Sequence, residues 1–202
     1  MKKLLSFTIA SFCLVAANAQ VKFGVKAGAG IVNQTRTDAE GWVPHTTSSK
    51  LGIHVGGFAE LPVTDKIFLQ PQLLLATKGA TDQSTVSGEK TKASLTYIDL
   101  PIVAVYKHPV KFGNVFGGLG PVFSYAISGK LQRDGQTKNM FSEELKYWKR
   151  GDIGLHLTAG AELNKNIIVS ISYQAGLMDI YKHEVVNLKN RSFGISVGYV
   201  LK

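Results

Sequence analysis

Beyond residue 20 the chain reads as about eight stretches of alternating apolar and polar residues, joined by connections that run long, short, long, short. Alternation with a period of two gives each stretch one oily and one polar face as a β-strand. The first stretch, 21–34, places Val21, Phe23, Val25, Ala27, Ala29 and Ile31 on one face and Lys22, Gly24, Lys26, Gly28 and Gly30 on the other. That run has about the 9–11 residues a tilted strand needs to cross a bilayer. The further strands are expected at 50–61, 67–79, 94–107, 115–131, 152–163, 167–177 and 191–202, with long connections at 35–49, 80–93, 132–149 and 178–190. An even number of strands with one short-turn end and one long-loop end predicts an all-β fold: an eight-stranded antiparallel up-and-down transmembrane β-barrel. Both termini then lie at the short-turn end, which faces the periplasm in such barrels.

The polar face decides which side meets lipid. It carries Gly24, Gly28, Gly30, Gly52, Gly56, Gly118, Gly120, Gly154, Gly160, Gly194 and Gly198. A face in water has no reason to be small, whereas the interior of an eight-stranded barrel only just holds its own side chains. The oily face is therefore read as lipid-facing. Phe23, Tyr106 and Tyr199 near the short-turn end, with Tyr125 and Phe193 near the other, fit two interfacial belts.

The interior face also carries charge: Lys22, Lys26, Lys78 and Lys130 with Glu60, Asp99, Asp152 and Glu162, together with His54 and His156. Tyr97, Pro101 and Lys107 fall on it as well. Unpaired charges in a narrow lumen are costly, so ion pairs and hydrogen bonds are expected to link Lys26, Glu60, Asp99, Asp152, Glu162, His54 and His156. Eight strands leave no wide channel, which favours a packed polar core over a pore. Pro101 removes a ladder donor in mid-strand and predicts a bulge there.

Residues 1–19 have the three parts of an export signal. Lys2 and Lys3 open it, Leu4 to Ala16 is a mostly apolar run too short to span a bilayer as a helix, and Ala17-Asn18-Ala19 is a small-x-small cleavage site. The barrel domain is then 20–202. Cys13, the sole cysteine, leaves with the leader, so the mature chain is expected to have neither disulfide nor thiol chemistry. Loss of Lys2 and Lys3 lowers the formal charge from +9 to +7, a modest basic excess suited to anionic lipid head groups or acidic surface polymers. No basic helix or aromatic platform points to nucleic acid.

No cofactor is implied. Metal binding needs three or four converging ligands, and the spacing of His45, His54, His108, His156 and His183 promises none. No catalytic residue is assigned, since no nucleophile elbow is present. The candidate partner site is the third long loop, where Phe141, Tyr147 and Trp148 accompany Lys138, Lys146, Lys149 and Arg150, with Trp42 added from the first. Exposed aromatics beside cations make adhesive surfaces for a protein or glycan. Equally, Tyr147 and Trp148 extend a strand and mark the outer interface.

The run Tyr97-Ile98-Asp99-Leu100-Pro101-Ile102-Val103-Ala104-Val105-Tyr106-Lys107 resembles the aromatic-x-acid-aliphatic-Pro strand of the PorT-like outer-membrane β-barrel family. Ala19-Gln20, the opening strand Val21-Lys22-Phe23-Gly24-Val25-Lys26-Ala27-Gly28, Gly117-Gly118-Leu119-Gly120-Pro121 and Asp152-Ile153-Gly154-Leu155 are similar too. The resemblance implies an outer-membrane barrel and carries over no catalytic residue. One branch of the family takes part in protein secretion. Such barrels commonly end in an aromatic residue, whereas this chain ends Tyr199-Val200-Leu201-Lys202, with Tyr199 nearest to that role. The expected role is structural or interactive, through extracellular loops of a monomer in outer-membrane lipid and without turnover. The alternatives are a narrow porin for small solutes and an accessory component of a secretion system.

Overall fold

A computed structural model describes residues 21–38, 44–83, 90–133, 135–142, 148–164, 166–181 and 186–201. Its strands are β1 (Lys22–Asp38), β2 (Pro44–Thr46), β3 (Lys50–Pro62), β4 (Ile67–Gln83), β5 (Lys90–Val110), β6 (Gly113–Arg133), β7 (Gln136–Asn139), β8 (Gly151–Leu163), β9 (Ile167–Gly176) and β10 (Val186–Val200). Consecutive long strands pair antiparallel in the order β1, β3, β4, β5, β6, β8, β9, β10. The sheet then closes on itself, with β10 paired to β1 from Gly24↔Val200 to Asp38↔Val186. These eight strands are the barrel; β2 and β7 are short pieces folded back on β1 and β6 beyond it. Closure removes both sheet edges, so no strand presents an unpaired backbone row to lipid.

The turns at one end are tight. Val63 and Thr64 amides both donate to the Ile67 carbonyl, at 2.9 and 3.0 Å. Lys111 and Phe112 alone separate the paired residues Val110 and Gly113. Gly113 has φ of 145°, open to glycine and strained for other residues. At the third turn the Asn166 side chain donates to the Val200 carbonyl at 3.0 Å, and the Val200 amide donates back to the Asn166 carbonyl at 2.7 Å, which ties down the end of β10. Lys22 and Leu201 lie at this same end, joined through the Leu201 amide and the Phe23 carbonyl at 2.7 Å.

The faces divide as the alternation predicts. Val25, Ile53, Val55, Leu73, Leu75, Ile98, Leu100, Leu119, Ile171, Ile195 and Val197 point outward and are exposed, while their even- or odd-numbered neighbours turn inward. Along β5 the outward face is apolar from Ile98 to Tyr106 and polar at Lys92, Ser94 and Thr96. Phe23, Tyr106 and Tyr199 are exposed on the outer wall near the tight turns, and Tyr125 and Phe193 near the opposite end.

Three sequence expectations need correction. The strands run further toward the long-loop end than their apolar faces do: β5 and β6 each have 21 residues, and the predicted connections 35–49, 80–93, 132–149 and 178–190 are partly strand. Where both faces are polar, alternation carries no signal. Next, the bulge is not at Pro101. Pro101 faces Val122 and Pro71 faces Ile102 without any change of register; a proline deletes a donor but inserts no residue. The shift lies between Thr96 and Tyr97, which face Ser128 and Ala126 and leave Ile127 as the extra residue. Finally, Lys130 is exposed rather than in the lumen, because that extra residue exchanges the two faces of β6 beyond it: Ala126 is buried, Ile127 and Ser128 are exposed, and Gly129 is buried. Lys22 is exposed too, at the rim of the short-turn end. The predicted leader 1–19 and Trp42 lie outside the described residues.

The inward glycines make room for their neighbours. A Cβ on Gly28 would lie 2.6 Å from both Cε1 and Nε2 of His54 and would press on the Ile195 carbonyl oxygen. A Cβ on outward Gly117 would meet nothing within 4 Å. Gly28→Val is therefore expected to reduce the compact, heat-modifiable species on a gel of unboiled protein, whereas Gly117→Val leaves that fraction unchanged.

Candidate functional site

The lumen is stacked in layers. Nearest the tight turns, Lys107 of β5 reaches across to Glu60 of β3 at 2.6 Å and Glu162 of β8 at 2.7 Å, all three buried. Its ammonium also lies 4.9 Å from the centre of the Phe68 ring. Gln70 donates to Glu60 at 3.5 Å, Gln72 to Gln70 at 3.0 Å, and Lys26 to Gln72 at 3.3 Å. Two carboxylates sharing one ammonium bind three strands that are not neighbours in the sheet. Outside this layer, a cavity of about 480 Å³ lined by Lys22, Asp65 and Lys66 opens at the short-turn end.

Beside the ion cluster packs an apolar cluster of Phe58, Ile168 and Val200, with Phe116 on it. Phe58 comes from a face that otherwise carries Gly52, His54, Gly56 and Glu60, so alternation alone did not mark it as a plug.

The middle of the lumen is polar. His54 Nε2 and Ser196 Oγ are 2.8 Å apart. Lys78 Nζ is 2.9 Å from Asp99 Oδ1, donates to Ser124 at 3.0 Å, and sits 4.7 Å from the Tyr97 ring centre. Asn190 links three strands, donating to Asp152 at 3.0 Å and to the Tyr97 hydroxyl at 3.3 Å while accepting from Gln34 at 3.1 Å. Both ring nitrogens of His156 and Oδ1 of Asp152 are buried without a hydrogen-bond partner.

A second apolar cluster lies toward the far end: Ala93, Leu95, Tyr97, Ala126 and Met140, backed by Leu131, Phe141 and Trp148. Beyond it an outward cup of about 400 Å³ is lined by Gln34, Arg36, Thr91, Arg133, Trp148 and Tyr181, among others. Trp148 and Tyr181 pair as an isolated antiparallel bridge, their rings edge to face at 5.4 Å.

Of the residues singled out in the sequence, Lys26, Glu60, Asp99, Asp152, Glu162, His54 and His156 all point into the lumen. Among the described residues, Lys26 connects to Glu60 through Gln72 and Gln70. Glu60 and Glu162 meet at Lys107, Asp99 meets Lys78, and Asp152 meets Asn190. Lys107 and Lys78 are the cations that organise the lumen. The sequence marks them as interior, but which acid each meets depends on strand stagger. In the third loop, Phe141, Trp148 and Arg150 are half-buried. Arg150 stacks its guanidinium 4.0 Å from the Phe141 ring centre and donates to the Ala126 carbonyl at 3.0 Å. Tyr147, Lys146 and His183 lie outside the described residues. His108 is exposed on the outer wall. Among the described residues no group of three or more His, Cys, Asp or Glu is arranged to hold a metal.

Removing one partner of a buried ion cluster leaves the others uncompensated. Lys107→Met is expected to destabilise the barrel by about 3–5 kcal/mol, read from urea unfolding in lipid vesicles. Combining it with Glu60→Gln and Glu162→Gln should recover most of that loss.

Comparison with known proteins agrees with this architecture. Neisserial surface protein A superposes with a TM-score of 0.52 at 16% identity, covering 88% of this chain and 96% of that one. The outer membrane protein OprG from Pseudomonas aeruginosa gives 0.50 at 13% identity, with 89% and 95% covered. At these identities the likeness is one of fold. No curated protein matches the chain in sequence. A family model described as outer membrane protein beta-barrel domain matches residues 16–182. The chain therefore belongs to the outer-membrane β-barrel domain family and is a protein of the bacterial outer membrane.

Proposed function

We propose that this barrel is a closed, monomeric interaction protein whose long-loop end contacts an envelope or extracellular protein or glycan, without turnover. The observation that carries this reading is the filled lumen. Two apolar clusters, Phe58/Phe116/Ile168/Val200 and Leu95/Ala126/Met140, pack beside the polar middle. The Lys107–Glu60–Glu162 cluster closes the short-turn side as well. Both apolar clusters occupy lumen volume that a crossing solute would need. The cup at the long-loop end, by contrast, presents Arg36, Arg133, Trp148 and Tyr181 around a floor of Ala93, Leu131 and Leu188. Aromatic and arginine side chains around a hollow are the groups that anchor partners.

In this reading the termini are periplasmic and the cup faces outward, since short turns face the periplasm in barrels of this class. The leader 1–19 delivers the chain to the envelope. The likeness of Tyr97–Lys107 to the PorT-like family supports an outer-membrane barrel and leaves a secretion role as the alternative. Its motif side chains are committed to the lumen, Tyr97 to Asn190 and Asp99 to Lys78, which suits a structural signature rather than a secretion activity.

Planar-bilayer recording tests the closed lumen. The purified barrel is expected to give no discrete conductance steps, and regular steps would favour the narrow porin. For the partner site, deletion of residues 132–149 should abolish capture of surface components that the intact protein retains. Capture unchanged by the deletion would reject the loop as the contact.

A further inference from the structure

Midway along the lumen lies a partly open space of about 50 Å³, lined among others by Lys26, His54, His156, Lys78, Asp99 and Gln174. Its wall contains two ammonium groups and one carboxylate. Asp99 is committed to Lys78 at 2.9 Å, so that pair is neutral as a unit. Among the described residues Lys26 has no carboxylate within ion-pair distance, and the hydrogen bond it makes there is a long one, 3.3 Å to Gln72. The other carboxylates are placed elsewhere. Glu60 and Glu162 share Lys107 beside the Phe58 cluster, and Asp152, which does not line the space, is held by Asn190. The wall thus carries one uncompensated positive charge.

His156 supplies the second, independent observation. It is 4% exposed and lines this space, and neither ring nitrogen has a partner. His54 lines the same space beside it, with Nε2 engaged by Ser196 at 2.8 Å. A buried imidazole with no partner costs free energy unless something meets it, and the half-buried Lys26 ammonium beside it has one weak acceptor. The space has room for a few atoms the size of a water molecule. Water alone satisfies the hydrogen bonds but leaves the charge of Lys26 unbalanced.

We infer that this space is a binding site for a small inorganic anion of halide size, held by the Lys26 ammonium and an N–H of His156, with His54 beside it. The ion neutralises the charge that Lys26 brings to this wall. The site is independent of the reading of the cup as a partner surface.

The test is to refold the protein from urea into detergent with sodium bromide, crystallise it, and measure anomalous scattering at the bromine edge. A bromide peak within hydrogen-bonding reach of Lys26 Nζ and the His156 ring is expected. Urea unfolding gives a second readout, with bromide compared against gluconate at equal ionic strength. Wild-type protein should gain stability specifically from bromide, its folded-to-unfolded ratio rising roughly tenfold per decade of bromide above the dissociation constant. Lys26→Met should lose that dependence. If Lys26→Met fails to give heat-modifiable protein, His156→Gln replaces it, with a weaker bromide dependence expected. Water alone at the site in bromide-grown crystals, or an equal bromide response in wild type and a folded variant, would overturn the assignment.

Discussion

Everything in this fold depends on the pairing of β10 with β1. A bilayer core offers no water to the amide and carbonyl groups of a strand, so an open sheet would leave two rows of them unpaired in hydrocarbon. Fifteen residue pairs, from Gly24↔Val200 to Asp38↔Val186, close the cylinder. The tethers at its base, Asn166 with Val200 and Leu201 with Phe23, fix where the last strand ends. Closure in turn dictates the lumen. Eight strands enclose a space that side chains must fill, and the chain fills it with small residues on the wall and long polar ones reaching across.

Those long residues do more than occupy volume. Lys107, Lys78 (through Ser124) and Asn190 each join strands that are not adjacent in the sheet, so the lumen is cross-linked by ions and hydrogen bonds where a soluble domain would use packed hydrocarbon. The apolar clusters around Phe58 and Met140 pack beside these polar groups and fill further lumen volume. A buried charge in such a place must be answered locally. Among the described lumen lysines, Lys78 and Lys107 are answered by carboxylates, and Lys26 faces the partly open space with His156.

Much of this was legible in the sequence, and the reasons are specific. Alternation is strongest where one face meets lipid, so 152–163 was placed within a residue of the observed β8, Gly151–Leu163. The glycines on the polar face identified the lumen, because small residues are needed only where side chains crowd. Above the membrane both faces are polar and the signal vanishes, which is why β4, β5 and β6 extend past their predicted ends. The bulge at Ile127 was invisible: nothing in Ser124–Lys130 distinguishes a strand with one inserted residue from a regular one, and the error carried Lys130 to the wrong face. The lumen residues were readable as a set, yet their pairing was not. Which acid meets Lys107 depends on how far each strand is staggered around the barrel, and stagger leaves no trace in a single strand's composition.

The central claim is that odd-numbered residues of β10 touch acyl chains while even-numbered ones face a closed lumen. It is tested most directly by single-cysteine spin labels at positions 193 to 198 in a lipid bilayer, with collisional accessibility to oxygen and to a water-soluble relaxant measured at each. The account predicts high oxygen accessibility at Phe193, Ile195 and Val197, low accessibility to both relaxants at Gly194, Ser196 and Gly198, and a strict period of two. Labels at 194, 196 and 198 that respond strongly to the water-soluble relaxant, or oxygen accessibility without alternation, would contradict it.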